Sequence, residues 1–534
     1  MEYTDHFSTK VTPQNEPIPG KPMVANSGGG FSFAVDKWTR LHRFLILGAE
    51  GGTYYVKEKE LTVENANAVL ECIKEDGLRV VKEIIDISVE GRAPKNDAAI
   101  FALALAATFG DPETKRLSYA AIKKVCRIGT HLFTFCQNIQ KLRGWSRGLR
   151  NGVAGFYQAK TTDDAVYQLL KYRQRNGWTH RDVLRLAHVK APTPELNRVF
   201  QWAVGKEPKP GTVAPVLPTK LLAFEHIQRE TLTPAGTAEL MRMHNLPWEC
   251  IPTTLHKHAE VWEAILPTMP LGALVRNLGR LSSLGLLKSN LDAHSPLVAK
   301  RLTNGEAIKK ARLHPLAILN ALKVYEQGHG DKGSMSWKAV PCIVDALNDA
   351  FSIAFQAITP TGKRLLLGLD VSGSMQGNMI AGTALDARTA AAAMAIVTSK
   401  VEPHHDFIAF SKGILPFQLS TKSTLGMLIN EMARLDFSET DCALPMLWAL
   451  QNKIPVDAFV IYTDSETNCG RIHPKQAIDM YRQKMGINTR LIVVGMCSNG
   501  FTIADPKDNG MLDVVGFDTA TPNVISDFAA GNLV

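Results

Sequence analysis

Residues 364–374 read RLLLGLDVSGS: an apolar run that ends on Asp370, followed at once by serines at 372 and 374. A near-continuous apolar run of this length suits a strand buried on both faces of a parallel sheet. Three more runs share its form, at 406–411 (DFIAFS), 458–464 (AFVIYTD) and 490–496 (RLIVVGM). Helical patterns at 384–401, 424–434, 444–452 and 474–485 separate them. Strands alternating with helices predict a doubly wound α/β domain over 361–534.

Upstream the pattern is different. Apolar residues recur every three or four positions at 63–74, 96–108, 119–125, 165–174, 179–188, 239–244, 259–266 and 314–327, with short Gly, Pro or Asp breaks and no strong β pattern. So many short helices predict a stacked α-solenoid over 31–360 rather than one bundle, although no fixed repeat length is visible. Residues 1–30 read as an N-terminal extension, and the proline-rich 205–218 (GKEPKPGTVAPVLP) as a linker within the helical region.

The 534 residues carry 60 Lys+Arg against 51 Asp+Glu, with 45% hydrophobic content. That composition excludes collagen-like, mucin-like and disordered classes. No apolar stretch approaches the roughly 18–20 residues that cross a bilayer, and the N-terminus lacks the pattern of a signal peptide. The eight cysteines form no CxxC pair, which suits reduced thiols in a cytoplasmic protein. The charge is uneven. Residues 361–534 hold 14 basic and 17 acidic residues, whereas 115–190 alone hold 16 basic and 3 acidic. A field concentrated in this way suits a polyanion, and equally a solvated helical surface.

In an open α/β sheet, ligands collect at the carboxyl ends of the strands. Asp370, Ser372, Ser374, Thr440 and Asp464 are all placed to reach that rim. They are hard oxygen donors with no His or Cys among them, which suits a divalent cation, Mg²⁺ in particular, with some retained waters. A lone DxSxS also caps helices, so the argument rests on five donors spread over the sheet. The set resembles the metal-ion-dependent adhesion site of von Willebrand factor A domains. That resemblance implies a binding site, completed by water or by a carboxylate from a protein ligand, and not a catalytic one.

In the basic stretch, Arg143, Arg147 and Arg150 share a face if 141–150 is helical, a condition that Gly144 and Gly148 weaken. Arg181, Arg185 and His188 repeat the spacing, and Lys171 and Arg175 stand four apart. Rows of this kind can track phosphates, and Tyr172 or Trp178 could stack on an exposed base. Each row can also be a solvated face, Trp145 and Trp178 can be core residues, and His188 an interfacial histidine. His180-Arg181-Asp182 lacks the rest of a kinase signature, and the glycine-rich 328–333 follows a helix rather than a strand. No nucleophile or general-base pair is evident, so no enzyme is expected. A nuclease would need the clustered carboxylates of a two-metal centre.

Several segments resemble the Ro autoantigen family: HRFLILGAEGGTYY at 42–55, VCRIGTHLFTF at 125–135, RNGWTHRDVLRLAHVK at 175–190, MPLGALVRNLGRL at 269–281, ARLHP at 311–315, TDCALPML at 440–447 and NGFTIADP at 499–506. The resemblance spans about residue 30 to the end. It implies a monomer with a TROVE module, a ring of HEAT-like repeats, beside a von Willebrand factor A domain. Single-stranded 3′ ends of misfolded non-coding RNAs would enter the hole, and Y RNAs would bind the outer surface. By match to the family's basic motif, Lys171, Arg175 and His188 would contact Y RNA, whereas Arg143, Arg147 and Arg150 rest on charge alone. The 205–218 and 244–252 (HNLPWECIP) stretches look more like bacterial members, which work with Y-like RNA and exoribonucleases such as polynucleotide phosphorylase. The alternative is a metal-dependent protein-binding adaptor with no RNA role.

Overall fold

The computed structural model describes residues 11–208, 214–229, 232–330, 334–355, 360–380, 383, 385–416, 425–435 and 438–533. The linker at 205–218, the glycine-rich 328–333, and positions 384 and 424 of two expected helices lie wholly or partly outside these residues.

Between Lys37 and Ile353 the described residues are mostly packed helices, with one β-hairpin at 174–179. The longest, Glu58–Glu90, is interrupted at Asp76 (φ −149°, ψ 83°), whose Oδ1 accepts the Arg79 N–H at 2.9 Å and so caps the second half. The next residue, Gly77, sits where the helix crosses Pro112–Val125, and a Cβ there would lie 2.3 Å from the Thr114 hydroxyl. The array also closes on itself. The His314 Nε2 lies 3.2 Å from the Arg92 carbonyl, joining its last helices to its first.

The C-terminal domain is built on a six-stranded sheet in the order Met511–Val515, Arg490–Gly495, Ala458–Thr463, Leu365–Asp370, His405–Phe410, Ile414–Leu415. All neighbours are parallel except the last pair. The four central strands and the helices Ala387–Val401, Leu425–Arg434, Leu444–Gln451 and Pro474–Met485 lie where the apolar runs predict them. Met511–Val515 escapes sequence reading because Asp513 interrupts its apolar pattern. That carboxylate is there to meet Arg43, whose Nη2 is 2.6 Å from its Oδ1.

Residues 11–34 lie against the C-terminal domain. Met23–Ala25 and Phe31–Ala34 form a small antiparallel sheet with Phe501–Thr502. The buried Gln14 amide donates to Asp441 Oδ1 at 2.6 Å and to the Ile472 carbonyl at 2.7 Å. Arg43, fully buried on the first helix Lys37–Leu47, also reaches Asn499 Oδ1 (3.1 Å) and the Phe501 carbonyl (2.8 Å). The helical array and the α/β domain therefore share one hydrophobic core.

Candidate metal and nucleic-acid sites

Four of the five expected metal donors meet at the carboxyl edge of the sheet. Asp370 ends one strand, and Asp464 follows its parallel neighbour. The Asp370 Oδ1 accepts the Ser372 N–H at 3.0 Å, its Oδ2 accepts the Thr463 hydroxyl at 2.6 Å, and the Ser372 and Ser374 hydroxyls lie 3.1 Å apart. Asn378 donates from Nδ2 to Asp464 Oδ2 at 3.2 Å. Thr440 is equally buried, and Asn468 fixes its loop by accepting the Thr440 N–H (3.1 Å) and donating to its carbonyl (2.9 Å). Among the described residues, no hydrogen bond ties the Thr440 hydroxyl to the other four donors.

The electrostatics fit a cation. Both aspartates are fully buried, and among the described residues neither pairs with a lysine or arginine. Burial, and then the charge of Asp464, pushes Asp370 up to about 7, and burial also raises Asp464. Glu466, two residues on, is pushed up to about 8 by burial and by Asp464. A divalent ion held by Asp370, Ser372, Ser374 and Asp464 would relieve this repulsion. Among the described residues no three His, Cys, Asp or Glu side chains cluster as a metal site, so the donor set depends on hydroxyls.

Sequence reading missed what covers this rim. The Tyr54 N–H donates to Asn378 Oδ1, and a Cβ on Gly377 would collide with the Tyr54 ring. The Gly28 N–H donates to Glu466 Oε2 at 2.9 Å, and a Cβ on Gly28 would lie 3.3 Å from the Tyr55 hydroxyl. Burial, then Asp464 and Glu466, raises that phenol to about 12. Residues 28 and 54–55 reach this rim from far away in the chain, so no local sequence pattern marks them.

The basic residues are arranged differently from the expected helical rows. Arg143 ends the helix Gly129–Leu142, Gly144 turns the chain at φ +84°, and Arg147 starts the helix Arg147–Gln158. Only Arg147 and Arg150 therefore share a helix. Lys171 and Arg175 do not share one either, because the helix Thr162–Lys171 stops there and 174–179 forms a β-hairpin. Its turn is Asn176-Gly177, both at positive φ (55° and 78°), the local signal that the helical reading passed over. Arg181 and Arg185 lie on the helix His180–Leu186, and His188 follows it at φ 49°.

Arg143, Arg147, Arg175, Arg181, Arg185 and His188 are exposed, Arg150 is half-buried and Lys171 is buried. Trp145 and Trp178 pack on each other with ring centroids 6.0 Å apart, joining the segment that carries Arg147 to the hairpin that carries Arg175. The three acids of the stretch are engaged elsewhere. Asp164 and Asp182 accept the hydroxyls of the capping residues Thr161 and Thr179, and Asp163 lies 3.7 Å from Lys220. Among the described residues, none of the eight basic candidates forms an ion pair with a carboxylate. His180 is a satisfied core residue between the Tyr157 hydroxyl (2.8 Å) and the Gln168 carbonyl (3.2 Å), and burial lowers it to about 4.

A family model for the TROVE domain matches residues 24–207 and 235–323, and one for the Ro60 vWA domain matches 364–529. A protein of Deinococcus radiodurans named "RNA-binding protein RO60" is 40% identical over 525 residues, covering 98% of each chain. One of the same name from Caenorhabditis elegans is 33% identical over 586 residues, covering 96% of this chain and 90% of the relative. The crystal structure of the Deinococcus radiodurans Ro (Rsr) protein superposes with a TM-score of 0.69 at 38% identity, covering 93% of this chain and 99% of the other.

Proposed function

The chain belongs to the Ro family of RNA-binding proteins, and from that membership we propose that it binds RNA through the basic helical stretch and acts by binding, not by catalysis. The observation that carries this reading is the set of exposed arginines without acidic partners around the Trp145–Trp178 contact. Guanidiniums without carboxylate partners are ready to take phosphates. A Y or Y-like RNA is the proposed ligand of this face, with Arg175 and His188 as contacts, Arg181 and Arg185 beside them, and Arg143, Arg147 and Arg150 extending the field. Lys171 is buried to 9% exposure, with its Nζ donating to the Tyr167 hydroxyl at 2.8 Å, so it can act only at the mouth of a cavity. Single-stranded 3′ ends of misfolded RNAs are the second proposed ligand, held within the closed helical array. An exoribonuclease is the proposed partner, in the cytoplasm.

The proposed role of the C-terminal domain is to hold a divalent cation, Mg²⁺ by donor chemistry, on Asp370, Ser372, Ser374 and Asp464, with Thr440 nearby. Bound there, the ion would supply an open position for a carboxylate or water. The chain's own residues hold the donors in register and, through Tyr54, Tyr55 and Gly28, screen the rim. The adaptor reading without RNA rests on this site alone and leaves the arginine surface without a use.

The test is direct. Protein purified from cells should carry RNA, visible as a raised absorbance ratio of 260 to 280 nm. The variant Arg175→Ala/Arg181→Ala should lose affinity for a Y-type RNA while keeping its melting temperature. Nucleic-acid-free protein with no affinity for the Y-type RNA would leave the adaptor reading, and unchanged affinity in the variant would remove Arg175 and Arg181 from the contact.

A further inference from the structure

The metal rim is closed by the chain itself. Asp370, Ser372, Ser374, Thr440 and Asp464 are each no more than 2% exposed, so a carboxylate from another protein cannot reach an ion held there while the cover stays in place. One part of the cover, 26–30, is bonded at several points. The Asn26 Nδ2 donates to the Thr467 carbonyl at 2.8 Å, and the Asn468 Nδ2 to the Gly28 carbonyl at 2.9 Å. The other part is segment 48–55, which follows the first helix of the array. Its start is anchored, since the Ser498 hydroxyl donates to the Gly48 carbonyl. Beyond that, among the described residues, a single hydrogen bond ties 49–55 to the α/β domain, from the Tyr54 N–H to Asn378 Oδ1. Beneath the segment is a cavity of about 190 Å³, lined by Gly48, Gly52 and Thr53 on one side and by Asn378, Met379 and Cys497 on the other. Gly51 and Gly52 both stand at positive φ (87° and 72°), and Tyr54 is 58% exposed. The segment therefore has room beneath it, glycine pivots, and little apolar surface to uncover on lifting.

Asn378 faces both ways. Its Oδ1 holds the segment, while its Nδ2 donates to Asp464 Oδ2 at 3.2 Å and meets Cys497 Sγ at 3.1 Å. Asp464 Oδ1 already accepts the Glu466 N–H at 3.1 Å, so both carboxylate oxygens are in use. We propose that Asn378 latches segment 48–55 over the rim, and that a divalent cation on Asp464 releases the latch and opens the rim to a partner's carboxylate. The direction follows from charge. A cation on Asp464 draws on the same lone pairs and repels the partial positive charge of the Asn378 N–H. The amide then keeps only the weak sulfur acceptor and loses the partner that aims its Oδ1 at Tyr54. The rim thus opens loaded, and its two carboxylates stay shut away from a partner's lysine or arginine while no cation is bound.

The proposal rests on the cation site read above, and its test separates the two. Hydrogen–deuterium exchange of the full-length chain would be followed by mass spectrometry in peptides over 48–56, with and without Mg²⁺, while calorimetry reports Mg²⁺ binding itself. The Tyr54 N–H is the donor to Asn378, so its exchange reads the latch directly. Saturating Mg²⁺ should speed that exchange about tenfold, near the worth of one hydrogen bond. In Asn378→Ala the exchange should be fast already and indifferent to Mg²⁺. Gly377→Ala lies outside the donor set, and its Cβ would collide with the Tyr54 ring. It should speed exchange without Mg²⁺ and keep Mg²⁺ binding. Exchange that is slowed or unchanged by Mg²⁺, although calorimetry shows the ion bound, would overturn the latch and leave the cation site standing. So would wild-type exchange in either variant. Absence of Mg²⁺ binding in the wild type would overturn both.

Discussion

Asp370 and Asp464 sit in the core without a lysine or arginine partner among the described residues, and the cost of ionising both is visible in their upward shifts. A cation that binds only the folded chain stabilises it by mass action, about 2.7 kcal/mol at a hundredfold excess over Kd. Mg²⁺ should therefore raise the melting temperature of the wild type and leave that of Asp370→Ala unmoved. A wild type indifferent to Mg²⁺ in a thermal melt, or the same rise in the variant, would count against the site. The convergence of Asp370, Ser372, Ser374 and Asp464 was legible in the sequence because strand-end carboxylates in an α/β fold have a fixed destination. Tyr54, Gly28 and Asn378 were not, since their approach depends on tertiary packing between distant segments.

The hairpin at 174–179 shows why element type was harder to read than element existence. Gln174 and Arg175 continue an apparent helical phase, but Tyr172 leaves the helical region (φ −111°, ψ 60°), and Asn176-Gly177 supplies a two-residue turn. The consequence is functional, because Arg175 is displayed on a hairpin braced by Trp178 against Trp145 rather than on a helix face. Gly177 at φ +78° is strained by any side chain, so Gly177→Ala should cost about 1 kcal/mol in urea unfolding. It should also weaken RNA binding by misplacing Arg175. Unchanged stability and affinity would show that the hairpin is not the display element. The long helices and the four core strands were legible because their apolar periodicity matches their burial. The strand Met511–Val515 was not, because its central Asp513 serves another element.

At the scale of the whole molecule, one histidine joins three parts. The His314 Nε2 faces the Phe517 carbonyl of the α/β domain (2.9 Å) and the Arg92 carbonyl of the first helices, while Nδ1 accepts the Leu316 N–H at 3.2 Å. Beside it, the Arg92 guanidinium pairs with Asp518, Nε to Oδ1 at 3.0 Å. Nδ1 is thus occupied as an acceptor, and burial lowers His314 to about 4. The unfolded chain, with a value of about 6.5, takes up the proton first as pH falls. This contribution to stability is complete above about 6.5 and is lost as pH falls toward 4, by up to about 3 kcal/mol. His131 and His180, lowered to about 3 and about 4 by burial, act in the same direction. His314→Gln should therefore be less stable at pH 7 and flatter between pH 6.5 and 4.5 than the wild type. A variant whose stability falls as steeply as the wild type's would remove His314 from the account.

RNA binding by this chain turns on the arginines of the helical array that lack carboxylate partners. Its most direct test is the salt dependence of affinity for a Y-type RNA. Each phosphate contact releases counterions, so log K should fall against log salt with a slope of roughly −0.7 per contact for single-stranded and about −0.9 for duplex segments. The wild type should give a steep line, and Arg175→Ala a slope shallower by about one contact. A flat line, or one that Arg175→Ala leaves unchanged, would contradict this role for the arginines.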